Sequence, residues 1–356
     1  MELDTPLRFG IFDWVEHRDA PLDSVFEGRL AMLELADEAG FYAYHIAEHQ
    51  GTPLSLDSSP AVLLAAASQR TRRLRLGALV FCLPWYNPLR LYNEICMLDH
   101  LSKGRLDVGI GRGVSPIESA YYGVTSSDQA RGMAAEALQV LMQAFRDGRL
   151  DFEGKYYHYE GVELWNRPYQ TPYPPLWYPT SNIESIPYVA SQGFNTSHNF
   201  APNEAAKPFV ELYRREWLAH KDDPDRLNAH VASPLISNTR HIYVAPSDYE
   251  AIAEAREPFD VWSQHISYLS GRFSNRPHDS LALERRMANG TALIGSPATI
   301  RENIREMVEE TGINYFLGVF NFGNLAQAKV LRSVELFAAE VMPALQTATQ
   351  SRPSIP

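Results

Sequence analysis

Arg112 stands where a short apolar run, Leu106-Asp-Val-Gly-Ile-Gly111, comes to an end, with Gly109, Gly111 and Gly113 beside it. A guanidinium in that position grips an anion through charge-assisted hydrogen bonds. The glycines remove side chains that would hold a ligand off the backbone, so a planar group could lie flat there while Arg112 takes its anionic end. A second set follows another apolar run, Pro175–Pro179. Thr180, Ser181 and Ser185 bring hydroxyls to the start of a helix-like segment, Ile183–Gln192. A helix start carries unpaired N–H groups and partial positive charge, which suits a phosphate. Ordinary N-capping by Ser181 accounts for the same residues. The conjunction with Arg112 on a neighbouring strand is what points to an anion site.

His45-Ile-Ala-Glu-His49 has the letters of a zinc-hydrolase motif, H-x-x-E-H, which needs a helix to bring both histidines to one face. The preceding Gly40-Phe-Tyr-Ala-Tyr44 is aromatic and strand-like. On a strand the two histidines stand roughly 13 Å apart along the chain, too far to share one zinc. No metal is therefore expected. Glu48 and His49 instead fall at the lip of a strand, with His49 facing the mouth as acid/base and Glu48 orienting it or capping nearby amides. A purely structural Glu–His pair is the alternative. Trp85 and Tyr86 are pocket walls or packing, and Asp13 orients a substrate or caps a loop; the residues leave both questions open.

The segments that must position these groups alternate in type from the start. Leu7–Asp13, Phe41–Glu48, Leu74–Leu83, Arg105–Gly111, Pro175–Pro179, Asn195–Asn199, Ile236–Ala245 and Tyr315–Phe320 read as strands. Helix-like segments lie between them, including Leu22–Ala39 stopped by Gly40, Pro88–Leu101, Asp128–Arg146 and a closing Leu325–Val341 stopped by Pro343. Apolar residues at helical spacing and Pro or Gly at the ends carry these assignments. Eight strands with intervening helices predict a (β/α)8 TIM barrel with insertions, whose ligands gather at the C-terminal strand ends. Phe152–Trp165 reads as a hairpin excursion. Pro258–Asn289 fits no βα unit and reads as a lid insertion. One domain over 1–345 and a frayed tail over 346–356 complete the expected organisation.

The 356 residues are 45% hydrophobic and 21% charged, with a formal net charge of −11 and two cysteines, Cys82 and Cys96. That balance gives no attraction to nucleic acid or to an anionic membrane. Two cysteines build neither a disulfide framework nor a thiolate metal site. With no secretory leader or membrane-length apolar run in the sequence, a cytoplasmic protein acting on a small molecule is expected.

Glu48-His49, Leu83-Pro84 with Asn87-Pro88, Leu98-Asp-His-Leu-Ser-Lys-Gly-Arg105, Gly111-Arg112-Gly113 and Phe337-Ala-Ala-Glu-Val-Met-Pro343 occur in order from Leu7 to Leu345. Together they resemble the bacterial luciferase-like flavin monooxygenase family. The resemblance implies a luciferase-like TIM barrel with reduced FMN across the strand ends, and molecular oxygen reacting with that flavin. By position, His49 matches the active-site histidine, Arg112 the phosphate arginine, and Ser181, Asn182 and Ser185 the phosphate turn. Glu118 matches an acidic residue near the flavin, and Leu79-Val80 a non-proline cis peptide beneath its ring. The luciferase thiol before the phosphate arginine is Gly111 here and the second histidine is Gln50, so light emission is not implied. No dinucleotide fingerprint is present, so reduced flavin would come from a separate flavin reductase. The family also implies a homo-oligomer. A deazaflavin-dependent dehydrogenase on the same scaffold and a non-catalytic flavin-binding paralogue are the competing readings.

Overall fold

The structure is a computed structural model that describes residues 6–273 and 282–350. Its strands are β1 Arg8–Asp13, β2 Ala43–Ile46, β3 Arg75–Cys82, β4 Leu106–Gly111, β5 Arg149–Glu153, β6 His158–Glu163, β7 Leu176–Trp177, β8 Thr196–Asn199, β9 Ile236–Val244, β10 Ala292–Gly295 and β11 Tyr315–Val319. Parallel pairings run β11–β1–β2–β3–β4–β7. A bridge from Trp177 to Asn195 leads on toward β8, and β8–β9–β11 closes the ring. Eight staves therefore enclose the core, and the fold is a TIM barrel. Every residue of β9 and β11 is buried, as expected for parallel strands covered on both faces. Inside the barrel, the fully buried His45 ring packs 4.9 Å from Trp177 and 6.0 Å from Tyr315. That burial pulls its pKa down to about 4, so it fills space as a neutral ring.

Local signals placed most of the connections. Gly40 ends the first helix in the left-handed conformation, at φ 85°. The Asn87 side chain accepts from the amides of Leu89 and Arg90 to open the helix Pro88–Leu101. The excursion after the fourth stave is the antiparallel hairpin β5–β6.

Three expectations are corrected. The segment from Pro258 is not irregular: residues up to Phe273 complete a 26-residue helix, Asp248–Phe273, that runs through Pro258. An interior proline costs a helix about 3 kcal/mol. Here Ala251, Ala255, Phe259 and Trp262 are buried along the helix, and their packing outweighs that cost. Residues 274–281 of the expected insertion lie outside the described residues. After a short helix, Leu283–Ala288, comes β10, a four-residue strand the sequence reading missed, pairing with the end of β9. Nor does Pro343 stop the final helix. A π turn over Phe337–Val341 precedes it and the chain continues helically as Met342–Gln350. Residues 346–350 are thus helical, and 351–356 lie outside the described residues. Among the described residues no helix is long and apolar enough to cross a membrane.

Candidate active site at the C-terminal rim

Glu48 and His49 follow β2 and point apart, as consecutive residues of an extended chain do. Glu48 is buried; its Oε2 accepts from the amide of Cys82 at 2.8 Å and its Oε1 from Tyr86 Oη at 2.6 Å. It ties the end of β2 to the end of β3, and burial raises its pKa to about 8. The capping role expected of Glu48 is present, but it does not orient His49. That task falls to Glu118, whose carboxylate lies 3.2 and 3.3 Å from His49 Nδ1. Glu118 is wholly buried and also accepts from the Gln50 amide at 2.6 Å. Its helix, Pro116–Tyr121, is capped by Ser115. With a carboxylate as acceptor, Nδ1 carries the proton and Nε2 is left as the working nitrogen. Nε2 has no partner among the described residues, and the ring is 14% exposed, so it is open toward the mouth. The sequence marked both residues but not their pairing, because 69 positions separate them.

Leu79-Val80 is a non-proline cis peptide, where the resemblance placed one. The β3–β4 register shifts there, between Ala78 and Phe81. The adjacent glycines serve this crossing of the two strands. A Cβ on Gly109 would meet the Ala78 carbonyl oxygen at 2.2 Å, and one on Gly111 would meet Val80 Cγ2 at 2.6 Å. Their small size makes room for β3 itself, a packing role the sequence reading did not give them. Gly113 has φ 80° and packs beside Trp85 and Cys82. Trp85 is packing: it stacks 5.4 Å from Tyr122 and donates to Ser119 Oγ. Burial pushes the Cys82 thiol well up, leaving it inert near neutral pH. Asp13, the last residue of β1, is held in a buried ion pair with Arg29 at 2.8 Å and accepts from Tyr44 Oη. Among the described residues no cluster of His, Cys, Asp or Glu is arranged to hold a metal ion.

Arg112 and the Thr180–Ser185 turn come to one end of the barrel. β4 and β7 are parallel neighbours, with Gly109 opposite Trp177. Three residues further along each lie Arg112 and Thr180, both past the C-terminal ends. The Arg112 side chain is exposed and makes one long contact, 3.4 Å to Ser127 Oγ. No carboxylate among the described residues pairs with it. Thr180 Oγ1 accepts from the Asn182 amide, and Asn182 Oδ1 from the Glu184 amide. Asn182, not Ser181, is therefore the cap. The hydroxyls of Ser181 and Ser185 have no hydrogen-bond partner among the described residues. The helix expected here is a 3-10 turn, Ile183–Ser185, and a six-residue helix, Ile186–Ser191. So short an element contributes little dipole, and the donors on offer are hydroxyls and amides.

A guanidinium with no carboxylate partner among the described residues, a hydroxyl turn and a carboxylate-held imidazole gather on one rim of a parallel α/β barrel, the end at which enzymes of this architecture bind their ligands. The profile of the luciferase-like monooxygenase family matches residues 7–315, and the chain belongs to that family. It is 34% identical over 342 residues to the uncharacterized protein y4wF of Sinorhizobium fredii, covering 96% of this chain and 98% of that one. It is 26% identical over 346 residues to limonene 1,2-monooxygenase of Rhodococcus erythropolis, covering 94% and 86%. The crystal structure of monooxygenase RslO1 from Streptomyces bottropensis superposes with a TM-score of 0.83 at 25% identity, over 95% of this chain and 99% of that one. The fold alone is shared with the oxygenating constituent of 3,6-diketocamphane monooxygenase from Pseudomonas putida in complex with FMN, at TM-score 0.78 and 22% identity over 95% and 98% of the chains. It is also shared with an F420-dependent secondary alcohol dehydrogenase, at TM-score 0.70 and 18% identity over 96% and 99%.

Proposed function

We propose that this protein is the oxygenating component of a flavin-dependent monooxygenase, binding reduced FMN from a separate reductase and using molecular oxygen to oxidise an apolar small molecule. The observation that carries this reading is that Arg112, with no carboxylate partner among the described residues, and Ser181 and Ser185, whose hydroxyls have no partner among them, follow neighbouring parallel strands at one end of the barrel. An exposed guanidinium beside free hydroxyl donors fits a phosphate ester, and nothing in the donor set suits a metal. When bound, reduced flavin supplies the electrons and the chemistry with oxygen.

The chain's own residues do the rest. Arg112, Thr180, Ser181, Asn182 and Ser185 would hold the phosphate, and the Leu79-Val80 peptide with Gly111 would lie against the flavin ring. Glu118 fixes His49 so that Nε2 offers or takes a proton at the reacting end, while Glu48 keeps the ends of β2 and β3 together. The helix Asp248–Phe273 is tied to the rim by His265 Nδ1 and Glu16 at 2.7 Å. We place it in the cover that excludes water from the reaction.

The test is anaerobic titration of the purified protein with reduced FMN and, separately, with reduced deazaflavin, followed by oxygen. Tight binding of reduced FMN, and an oxygen reaction whose rate differs from that of free reduced flavin, are expected. Binding of the deazaflavin alone would transfer the protein to the hydride-transfer branch of the fold. Stoichiometric FMN with the oxygen kinetics of free flavin would make it a non-catalytic carrier.

A further inference from the structure

The helix Asp248–Phe273 carries a second imidazole that is held as His49 is held. His265 Nδ1 lies 2.7 Å from Glu16 Oε2, and Glu16 Oε1 accepts from the amide of Gly323 at 2.9 Å. The Glu16 side chain is wholly buried and that of His265 is 13% exposed, against 0% for Glu118 and 14% for His49. Each pair thus joins a buried carboxylate, itself fixed by a backbone amide, to a ring that is only partly covered. With the carboxylate as acceptor, Nδ1 of His265 carries the proton and Nε2 is the open nitrogen. That Nε2 has no partner among the described residues. Arg18 stands near enough to feel the Glu16 charge, yet it donates to Asn321 Oδ1 and to the Gly323 and Leu325 carbonyls instead. The side chain bonded to Glu16 is the one that exchanges protons.

The place of this ring follows from its helix. Trp262, one turn before His265, puts its ring 4.1 Å from that of His241 on β9. The His241 ring lies 6.2 Å from Trp14 after β1, 4.9 Å from Phe200 after β8 and 5.6 Å from Phe322 after β11. Trp262 therefore packs down onto the C-terminal end of the barrel. Leu269, four residues beyond His265, is buried as well. Residues three and four apart share a helix face, so His265 is on the inward side. The same helix packs on Pro116–Tyr121, which carries Glu118, and so it spans the mouth from the β9 side to the β4 side. Beneath that span His265 is tied to Glu16, three residues past the end of β1, and β1 is the neighbour of the strand that leads to His49.

We propose that His265 is a second acid/base of this active site, its Nε2 exchanging a proton with the bound reactants from the covering helix while His49 does so from the end of β2. The assignment rests on the monooxygenase reading. In that overall reaction two electrons and two protons leave reduced FMN, one atom of oxygen enters the substrate, and the other takes both protons as water. Where solvent is excluded, side chains must carry those protons. Two imidazoles allow one to take a proton while the other gives one, and both regain their starting state over a turnover. The competing account is that the pair only ties the helix down.

The first measurement is footprinting of the wild type with diethyl pyrocarbonate, which acylates a free imidazole nitrogen, with and without reduced FMN under anaerobic conditions. His265 and His49 should both label in the flavin-free protein and both be protected by FMN. The second uses His265→Asn, which keeps an N–H where Nδ1 stood and cannot pass a proton on. Its Tm and its affinity for reduced FMN should match the wild type. After oxygen is added, its release of oxidised FMN and hydrogen peroxide should be slower by about tenfold or more and should lose one limb of the pH profile. Added imidazole should restore part of the rate in His265→Ala. Equal labelling of His265 with and without FMN, or a His265→Asn variant with the rate and pH profile of the wild type, would overturn the assignment and leave the FMN reading in place. A wild type that binds no reduced FMN would overturn both.

Discussion

Replacing Arg112 with Met tests the cofactor assignment at one atom group. In the structure this side chain is exposed and holds only a 3.4 Å contact to Ser127 Oγ, an oxygen that Arg131 also engages at 3.0 Å. Nothing in the fold depends on it, so the stability change should stay within about 0.5 kcal/mol. A hydrogen bond to a charged group contributes about 1.5 to 3 kcal/mol, and exposure argues for the lower half of that range. At 1.4 kcal/mol per decade this amounts to a Kd weaker by about 12- to 40-fold. The assay is anaerobic titration with reduced FMN and with reduced riboflavin, which lacks the phosphate. The wild type should prefer FMN by at least that factor, the hydroxyl turn adding to it, and Arg112→Met should shrink the preference by about that factor while holding riboflavin as before. A variant that weakens both flavins equally, or neither, would show that Arg112 does not meet the phosphate.

Three further outcomes follow from the rim. In Glu118→Gln the amide oxygen keeps the short bond from the Gln50 amide and presents its NH2 to His49, so the neutral ring should switch from the Nδ1–H to the Nε2–H tautomer; nitrogen-15 NMR of the ring reads this directly, and an unchanged tautomer would remove Glu118 as the orienting group. Glu48, raised to about 8 in the folded protein, holds a proton that the unfolded chain releases near pH 4.5. Its contribution to stability is therefore complete below that pH and is lost as pH rises toward 8. Urea melts of wild type and Glu48→Gln at pH 5, 6.5 and 8 should differ in slope, the variant falling less steeply; parallel slopes would place the ionised form in the fold. Gly109→Ala puts a Cβ 2.2 Å from the Ala78 oxygen, and since backbone must move, a loss of about 3 kcal/mol or more is expected in denaturant melts. A stable variant that only loses flavin would restore the view that Gly109 clears space for ligand.

Much of this site was legible without coordinates because its signals are local. Gly40 stops one helix and Pro88 opens another through their own backbone chemistry. The apolar runs of the staves follow from burial on both faces, and strand ends in a barrel collect on one rim whatever the loops do. That logic brought Arg112 and the Thr180–Ser185 turn together from two stretches of sequence. Where packing outweighed a local signal, the reading failed. Pro258 and Pro343 looked like breaks, yet burial along one side carries the first helix on and a π turn accommodates the second. β10 is too short to show a period.

What only the tertiary structure decided are the pairings across distance. Glu48 sits next to His49 in sequence but turns to Cys82 and Tyr86, because consecutive residues of an extended chain face opposite ways. Glu118, far along the chain, is carried to His49 by the short helix after β4. Gly109 proved to answer to the carbonyl of Ala78, and Arg286 to the rings of Phe200 and Trp262. Such contacts depend on how staves and covering helices stack, and a linear pattern holds no record of which side chains that stacking will bring within 3 Å, roughly the reach of a hydrogen bond.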